Sequence, residues 1–89
     1  MVRRSRLEIY FDVLEVIERG LSKPTQIMYR TNLSWNTLNE VFSTLIKSDF
    51  IIEEEKRHFK RYYITDKGRR ALSHHKTSIE GLGMMPLME

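Results

Sequence analysis

The chain has 89 residues, enough for one domain around one modest core. Apolar residues make up 40% and charged residues 30%, an ordinary balance for a folded chain; cysteine is absent, which excludes disulfides and thiolate metal sites, and no apolar run nears the roughly 20 residues of a transmembrane helix. The formal net charge of +3 is too small to name a partner by itself, so the placement of the charges has to be read along the chain.

The N-terminal MVRRSR is basic, but no apolar h-region or cleavage site follows it. No signal peptide is expected, and an intracellular location is the default. Residues 5–19 read as a first helix. Ser5 stands at its N-cap with Glu8 three positions on, the capping-box spacing, and Tyr10, Val13, Leu14 and Ile17 form an apolar stripe at helical period. Gly20 ends it. Ile9 and Val16 form a smaller strip off the main stripe, suited to another helix or a partner subunit.

Lys23-Pro24 opens a second, short helix over about Pro24–Thr31, since proline is favoured at the first helical position. Ile27 and Met28 are its expected core residues, and Asn32 suits the left-handed turn that follows. Ser34 caps a third helix that runs to about Ser48. Leu38, Val41, Phe42 and Leu45 form its apolar stripe, and Asn36, Glu40, Ser43 and Lys47 lie on the opposite face.

The period then changes. Ile51-Ile52 and Tyr62-Tyr63-Ile64-Thr65 are β-branched and aromatic, with a basic stretch between, which reads as a hairpin with its tip near Lys56–Lys60. Without Asn-Gly or Asp-Gly, its loop is expected to exceed two residues. Thr65 or Asp66 caps a fourth helix over about Asp66–Glu80, with Gly68 weakening its first turn. Gly81, Gly83 and Pro86 are expected to prevent a regular helix beyond it. The division is a domain over residues 1–80 and a short apolar tail over residues 81–89.

Two helices joined by a tight turn, followed by a basic hairpin, make an α+β, mostly α architecture. It is a winged helix-turn-helix: a three-helix core, a two-stranded β-hairpin wing and a C-terminal helix. In that arrangement the third helix enters the major groove of DNA.

The run TQIMYRTNLSWNTLNEVFSTLIKSDFI, followed by YYITDKGRRAL, resembles the archaeal winged helix-turn-helix family of small transcriptional regulators, the ArnR-like group. The likeness covers about Arg6 to Leu72 and implies the same fold and DNA binding. Two departures stand out. The family has glycine where the third helix turns into the wing, and this chain has Ser48-Asp49; Asp can take the left-handed turn at some cost. Several relatives carry a long C-terminal helix that dimerises as a coiled coil, whereas here Gly81 is expected to cut that helix short.

Asn36 and Asn39 are candidates for base contact, since an Asn amide can bond adenine N6 and N7 together; Glu40 can accept from cytosine N4, and Ser43 suits either. Ser34, Thr37, Arg30, Lys23 and Lys47 are candidates for the DNA backbone. Trp35 has two readings, capping the core beside Phe42 or lying against the sugar-phosphate backbone. The wing offers Lys56, Arg57, His58, Phe59, Lys60 and Arg61, and the N-terminal arm Arg3, Arg4 and Arg6. Glu53-Glu54-Glu55 reads as a salt-bridging strand that tempers non-specific phosphate attraction. Ile9, Val16, Leu72, Ile79, Leu82, Met84 and Met85 are candidates for a homodimer contact.

Enzymatic readings find little to stand on. His74-His75 are adjacent and point to different sides of a helix, so no metal site is expected, and there is neither a nucleophile–base spacing nor a phosphate-binding glycine loop. No catalytic residue, cofactor or small-molecule ligand is identifiable, and no membrane partner is expected. The expected partner is double-stranded DNA, bound by a cytoplasmic, nucleoid-associated homodimer. Two rivals of the same fold are a sequence-tolerant architectural protein and a protein-interaction subunit of a larger assembly.

Overall fold

The computed structural model describes the backbone over residues 4–88 and the side chains over residues 4–77. The order is α1 (Arg6–Glu18), α2 (Pro24–Thr31), α3 (Trp35–Lys47), β1 (Ile51–Lys56), β2 (Phe59–Ile64) and α4 (Asp66–Met88). Helix α1 touches α2, α3, α4 and β2, so the fold is assembled around it.

Each helix starts where its capping chemistry allows. Ser5 Oγ accepts from the Glu8 amide at 3.1 Å while Glu8 Oε1 accepts from the Ser5 amide at 3.3 Å, a complete capping box. Helix α1 ends in a Schellman turn: Leu21 N–H donates to the Val16 carbonyl and Gly20 N–H to that of Ile17, with Gly20 at φ 108°. Asn32 takes the left-handed conformation at the end of α2 (φ 57°), and Asp49 does so after α3 (φ 64°), where glycine would be the easier residue.

The core joins all four helices to the hairpin. Val13, Leu14 and Ile17 of α1 pack with Ile27 of α2, with Leu38, Val41, Phe42 and Leu45 of α3, and with Ile51, Tyr62 and Leu72. The apolar stripes of α1 and α3 thus face inward as their period predicts; Met28 and Tyr10 pack at the margin. Thr31 is buried too, its hydroxyl donating to the Ile27 carbonyl at 2.7 Å, which removes the penalty of a bare hydroxyl in the core.

Two expectations need correcting. The hairpin loop has two residues: Lys56 pairs with Phe59, leaving Arg57 and His58 as the turn. Arg57 has positive φ (53°), the conformation both primed hairpin turns require at their first central residue, and the long two-stranded ladder holds it there without glycine. Helix α4 runs on through Gly81, Gly83 and Pro86 to Met88. Glycine weakens a helix rather than forbidding it, and Pro86 forfeits one backbone bond close to the helix end. Gly68, in the first turn of α4, also has a packing role: a Cβ there would collide with the Phe50 carbonyl oxygen and lie 2.8 Å from Ile64 Cγ1.

Thr65 locks α4 to the base of the wing. Its amide donates to the Phe50 carbonyl at 2.9 Å, its hydroxyl donates to the Asp49 carbonyl at 2.6 Å, and the same hydroxyl oxygen accepts from the Gly68 amide at 2.9 Å. Thr65 is therefore the cap of α4, one of the two residues the sequence offered.

Candidate nucleic-acid interface

Helix α3 carries its buried stripe on one side and a polar row on the other. Asn36, Asn39, Glu40, Ser43 and Lys47 are all exposed, so the sequence-predicted base-contact residues share one outward surface. Ser34 caps the helix, accepting from the Thr37 amide at 3.2 Å and donating its hydroxyl to Thr37 Oγ1 at 2.9 Å. Trp35 is the first residue of α3 and 47% exposed, so it lies outside the core. Position 35 shares the helical angle of Leu38 and Phe42, so Trp35 continues their stripe at the N-terminal end of α3, where it is half exposed rather than part of the buried cluster.

The flank of α3 toward α1 holds a cluster that periodicity could not reveal. Arg6 donates to the Tyr10 hydroxyl at 3.3 Å, and both line a shallow hollow of about 120 Å³ with Thr37 and Glu40. The Arg6 hydrogen bond, seconded by one from Thr44, pulls the Tyr10 phenol below its ordinary pKa. The Arg6 guanidinium is held above its ordinary value, first by Tyr10 and then by the charge of Glu40. Of the N-terminal arm, Arg6 thus sits beside the exposed row of α3. Arg4 instead pairs with Asp12 at 2.9 Å, and Arg3 lies outside the described residues.

The wing is anchored to the inner side of α3 by aromatic stacking. The Phe42 and Tyr62 rings are 3.9 Å apart at 15°. The Tyr62 hydroxyl donates to Glu53 Oε2 at 2.7 Å, and its amide donates to the Ser22 carbonyl at 3.0 Å, fastening the wing to the segment before α2. Burial first, then the Glu53 hydrogen bond and charge, push the Tyr62 phenol well above the usual tyrosine range.

The ladder register sorts the wing's charges by face, because directly paired residues point to the same side. Ile51–Ile64, Glu53–Tyr62 and Glu55–Lys60 share the core side; Ile52–Tyr63, Glu54–Arg61 and Lys56–Phe59 share the outer side. Two of the three acids are tied, Lys60 lying 4.0 Å from Glu53 and Lys56 3.5 Å from Glu54. Along β2, a groove of about 320 Å³ brings Lys23 of the α2 cap together with His58, Lys60 and Arg61. Phe59 is exposed, with the Arg61 guanidinium 5.2 Å from its ring centroid.

Not every sequence candidate joins this surface. Arg30 lines a separate hollow with Arg4, Asp12, Glu15 and Arg19 between α1 and α2. Leu72 is buried in the chain's own core, so it is not available to a partner subunit. Ile9 and Val16 are partly buried against that core, and the side chains of Ile79, Leu82, Met84 and Met85 lie outside the described residues. His75 stacks on Phe11 at 3.8 Å and 3°, a structural contact between α1 and α4. Among the described residues no helix is long and apolar enough to cross a membrane.

With this geometry, residues 3–81 match the winged helix-turn-helix family. The chain belongs to that family. Among curated relatives, uncharacterized protein MJ0287 of Methanocaldococcus jannaschii is 31% identical over 71 residues, covering 80% of this chain and 69% of that one. Among solved structures, Sso10a-2, a DNA-binding protein from Sulfolobus solfataricus, superposes with a TM-score of 0.76 at 23% identity, covering 86% of this chain and 80% of that one. A Listeria innocua protein of unknown function superposes with a TM-score of 0.75 at 25% identity, covering 85% of this chain and 55% of that longer one. At 23% identity, the Sso10a-2 likeness carries the family fold only.

Proposed function

We propose that this chain is a DNA-binding transcriptional regulator of the archaeal, ArnR-like kind, acting in the cytoplasm on nucleoid DNA. Helix α3 enters the major groove, and the wing grips the flanking backbone or minor groove. The observation that carries this reading is the exposed row of Asn36, Asn39, Glu40 and Ser43 on α3, with Arg6 beside it, together with the basic Lys23–Lys60–Arg61 groove between the start of α2 and β2. Amides and a carboxylate at a helix face supply base-edge contacts, while cations beside them supply phosphate contacts. The likeness to Sso10a-2, itself a DNA-binding protein, supports the same reading.

The reading includes a homodimer. Helix α4 continues to Met88, giving a second chain a long element to pack against. A two-fold dimer would read half-sites about one helical turn apart, roughly 34–36 Å.

A salt titration of binding to random duplex and to the chain's own upstream DNA tests the proposal. The expected result is a log–log slope implying several released counterions, with tighter binding to one sequence. Equal affinity for both duplexes would replace the regulator with an architectural protein. No binding near about 100 mM salt would refute DNA binding, since non-specific binders still hold duplex there.

A further inference from the structure

The outer face of the wing is unlike its inner face. Along β2, Phe59, Arg61 and Tyr63 alternate onto it, with Lys56 and Ile52 paired beside Phe59 and Tyr63. Phe59 is 58% exposed, Ile52 50% and Tyr63 41%, and nothing among the described residues covers their outward surfaces. The cations Lys56 and Arg61 outnumber the single acid Glu54 on this face, and Arg57 adds another at the tip. The inner face carries Glu53 and Glu55 against one Lys60.

Exposed aromatic rings alternating with a guanidinium on a ribbon of net positive charge suit one ligand chemistry: unpaired bases on a phosphate backbone. Every base has a π-face for a ring to stack on, and stacking is tolerant of sequence. In a duplex those faces are covered by neighbouring base pairs, so flat rings find partners only where the strands are apart. Phe59 and Tyr63 lie four strand residues apart, about 13 Å, so a strand of a few nucleotides spans both rings. Arg61 stands between them, already over the Phe59 ring at 5.2 Å and able to turn to a phosphate.

We propose that the outer face of the wing, built on Phe59, Arg61 and Tyr63, is a second nucleic-acid site that binds single-stranded DNA or RNA by stacking unpaired bases. It shares Phe59 and Arg61 with the lining of the basic β2 groove but not the α3 row proposed for duplex, and ring stacking on unpaired bases is tested apart from the α3 reading.

The test is fluorescence anisotropy with the full chain and three labelled probes in one buffer: an oligothymidylate of about ten nucleotides, an abasic strand of the same length, and a duplex. The oligothymidylate is expected to bind at least about tenfold tighter than the abasic strand. Phe59→Ala and Tyr63→Ala should each cost roughly 5- to 100-fold on it and little on the abasic strand. Phe59→Tyr should restore binding, whereas Phe59→Leu, which keeps apolar area without a ring, should not. Asn36→Ala should leave the single strand alone and act only on duplex. Both substituted rings are exposed, and a thermal melt of each variant verifies folding. Equal binding of the oligothymidylate and the abasic strand overturns the proposal, because phosphate attraction alone would then explain the binding. Folded alanine variants with unchanged oligothymidylate affinity overturn it too and leave the face to a protein partner. Duplex binding lost with single-strand binding kept would sink the α3 reading and spare this one.

Discussion

Phe42 of α3 stacks face to face on Tyr62 of the wing, ring centroids 3.9 Å apart. This stack joins the wing directly to the helix whose outer side carries Asn36 and Ser43. Phe42→Ala removes a ring that is 2% exposed and leaves a cavity. It should cost about 3–5 kcal/mol in urea melts, and amide exchange in the wing should quicken more than in α2. A loss under about 1 kcal/mol would show that the stack is incidental.

Tyr62 also makes stability depend on alkaline pH. Its folded pKa is raised, so the folded chain holds the phenolic proton to higher pH than the unfolded chain, where tyrosine titrates near about pH 10. The stability it contributes is whole below that pH and is lost as pH climbs through the folded value. Between about pH 9 and about pH 11, wild type should lose more stability than Tyr62→Phe, which lacks the titrating group. Equal losses would mean that the phenol titrates alike in both states.

Gly68→Ala should destabilise the chain although alanine is the better helix former. The propensity gain is about 1 kcal/mol. The new methyl meets the Phe50 carbonyl, a backbone atom fixed by its bond to the Thr65 amide. A net loss of about 1–3 kcal/mol is expected, and a raised melting temperature would contradict the close approach.

Asp49→Gly should do the opposite. Asp49 sits at φ 64°, a conformation that costs an L-residue roughly 1–2 kcal/mol and glycine nothing. Its bond to Thr65 uses the carbonyl, which glycine keeps. After the extra chain entropy that glycine loses, a gain of about 0.5–1 kcal/mol should appear in a thermal melt. Asp49→Val should lower stability.

The α3 row and the β2 groove should separate in binding assays. Asn36→Ala is expected to cost about 1–3 kcal/mol on a preferred duplex and little on random sequence, because a base contact carries the discrimination. Lys23→Ala should weaken both duplexes alike and reduce the log–log salt slope by about 1, the mark of one lost phosphate contact. If Asn36→Ala weakens both equally, residue 36 reads no base.

Local chemistry determined much of this protein before any packing was considered. Ser5 with Glu8, Pro24, Asn32 and Ser34 mark helix ends because capping hydrogen bonds and φ preferences act within a few residues. Val13, Leu14 and Ile17, like Leu38, Val41, Phe42 and Leu45, announce their buried faces because helical period acts within one element. The row Asn36–Glu40–Ser43 was legible for the same reason.

The rest joined residues far apart in the chain, and only the tertiary structure decided it. The α4 backbone comes so close to Phe50 that Gly68 has no room for a side chain. Arg6 and Tyr10 close over the flank of Glu40, and the Phe42–Tyr62 stack joins the wing to α3. The ladder register set the hairpin turn at Arg57-His58 and turned Phe59 and Tyr63 to one face and Glu53 and Glu55 to the other. In a strand, a one-residue shift in pairing exchanges the two faces, so which charges stand beside which rings is fixed by cross-strand pairing and not by local sequence.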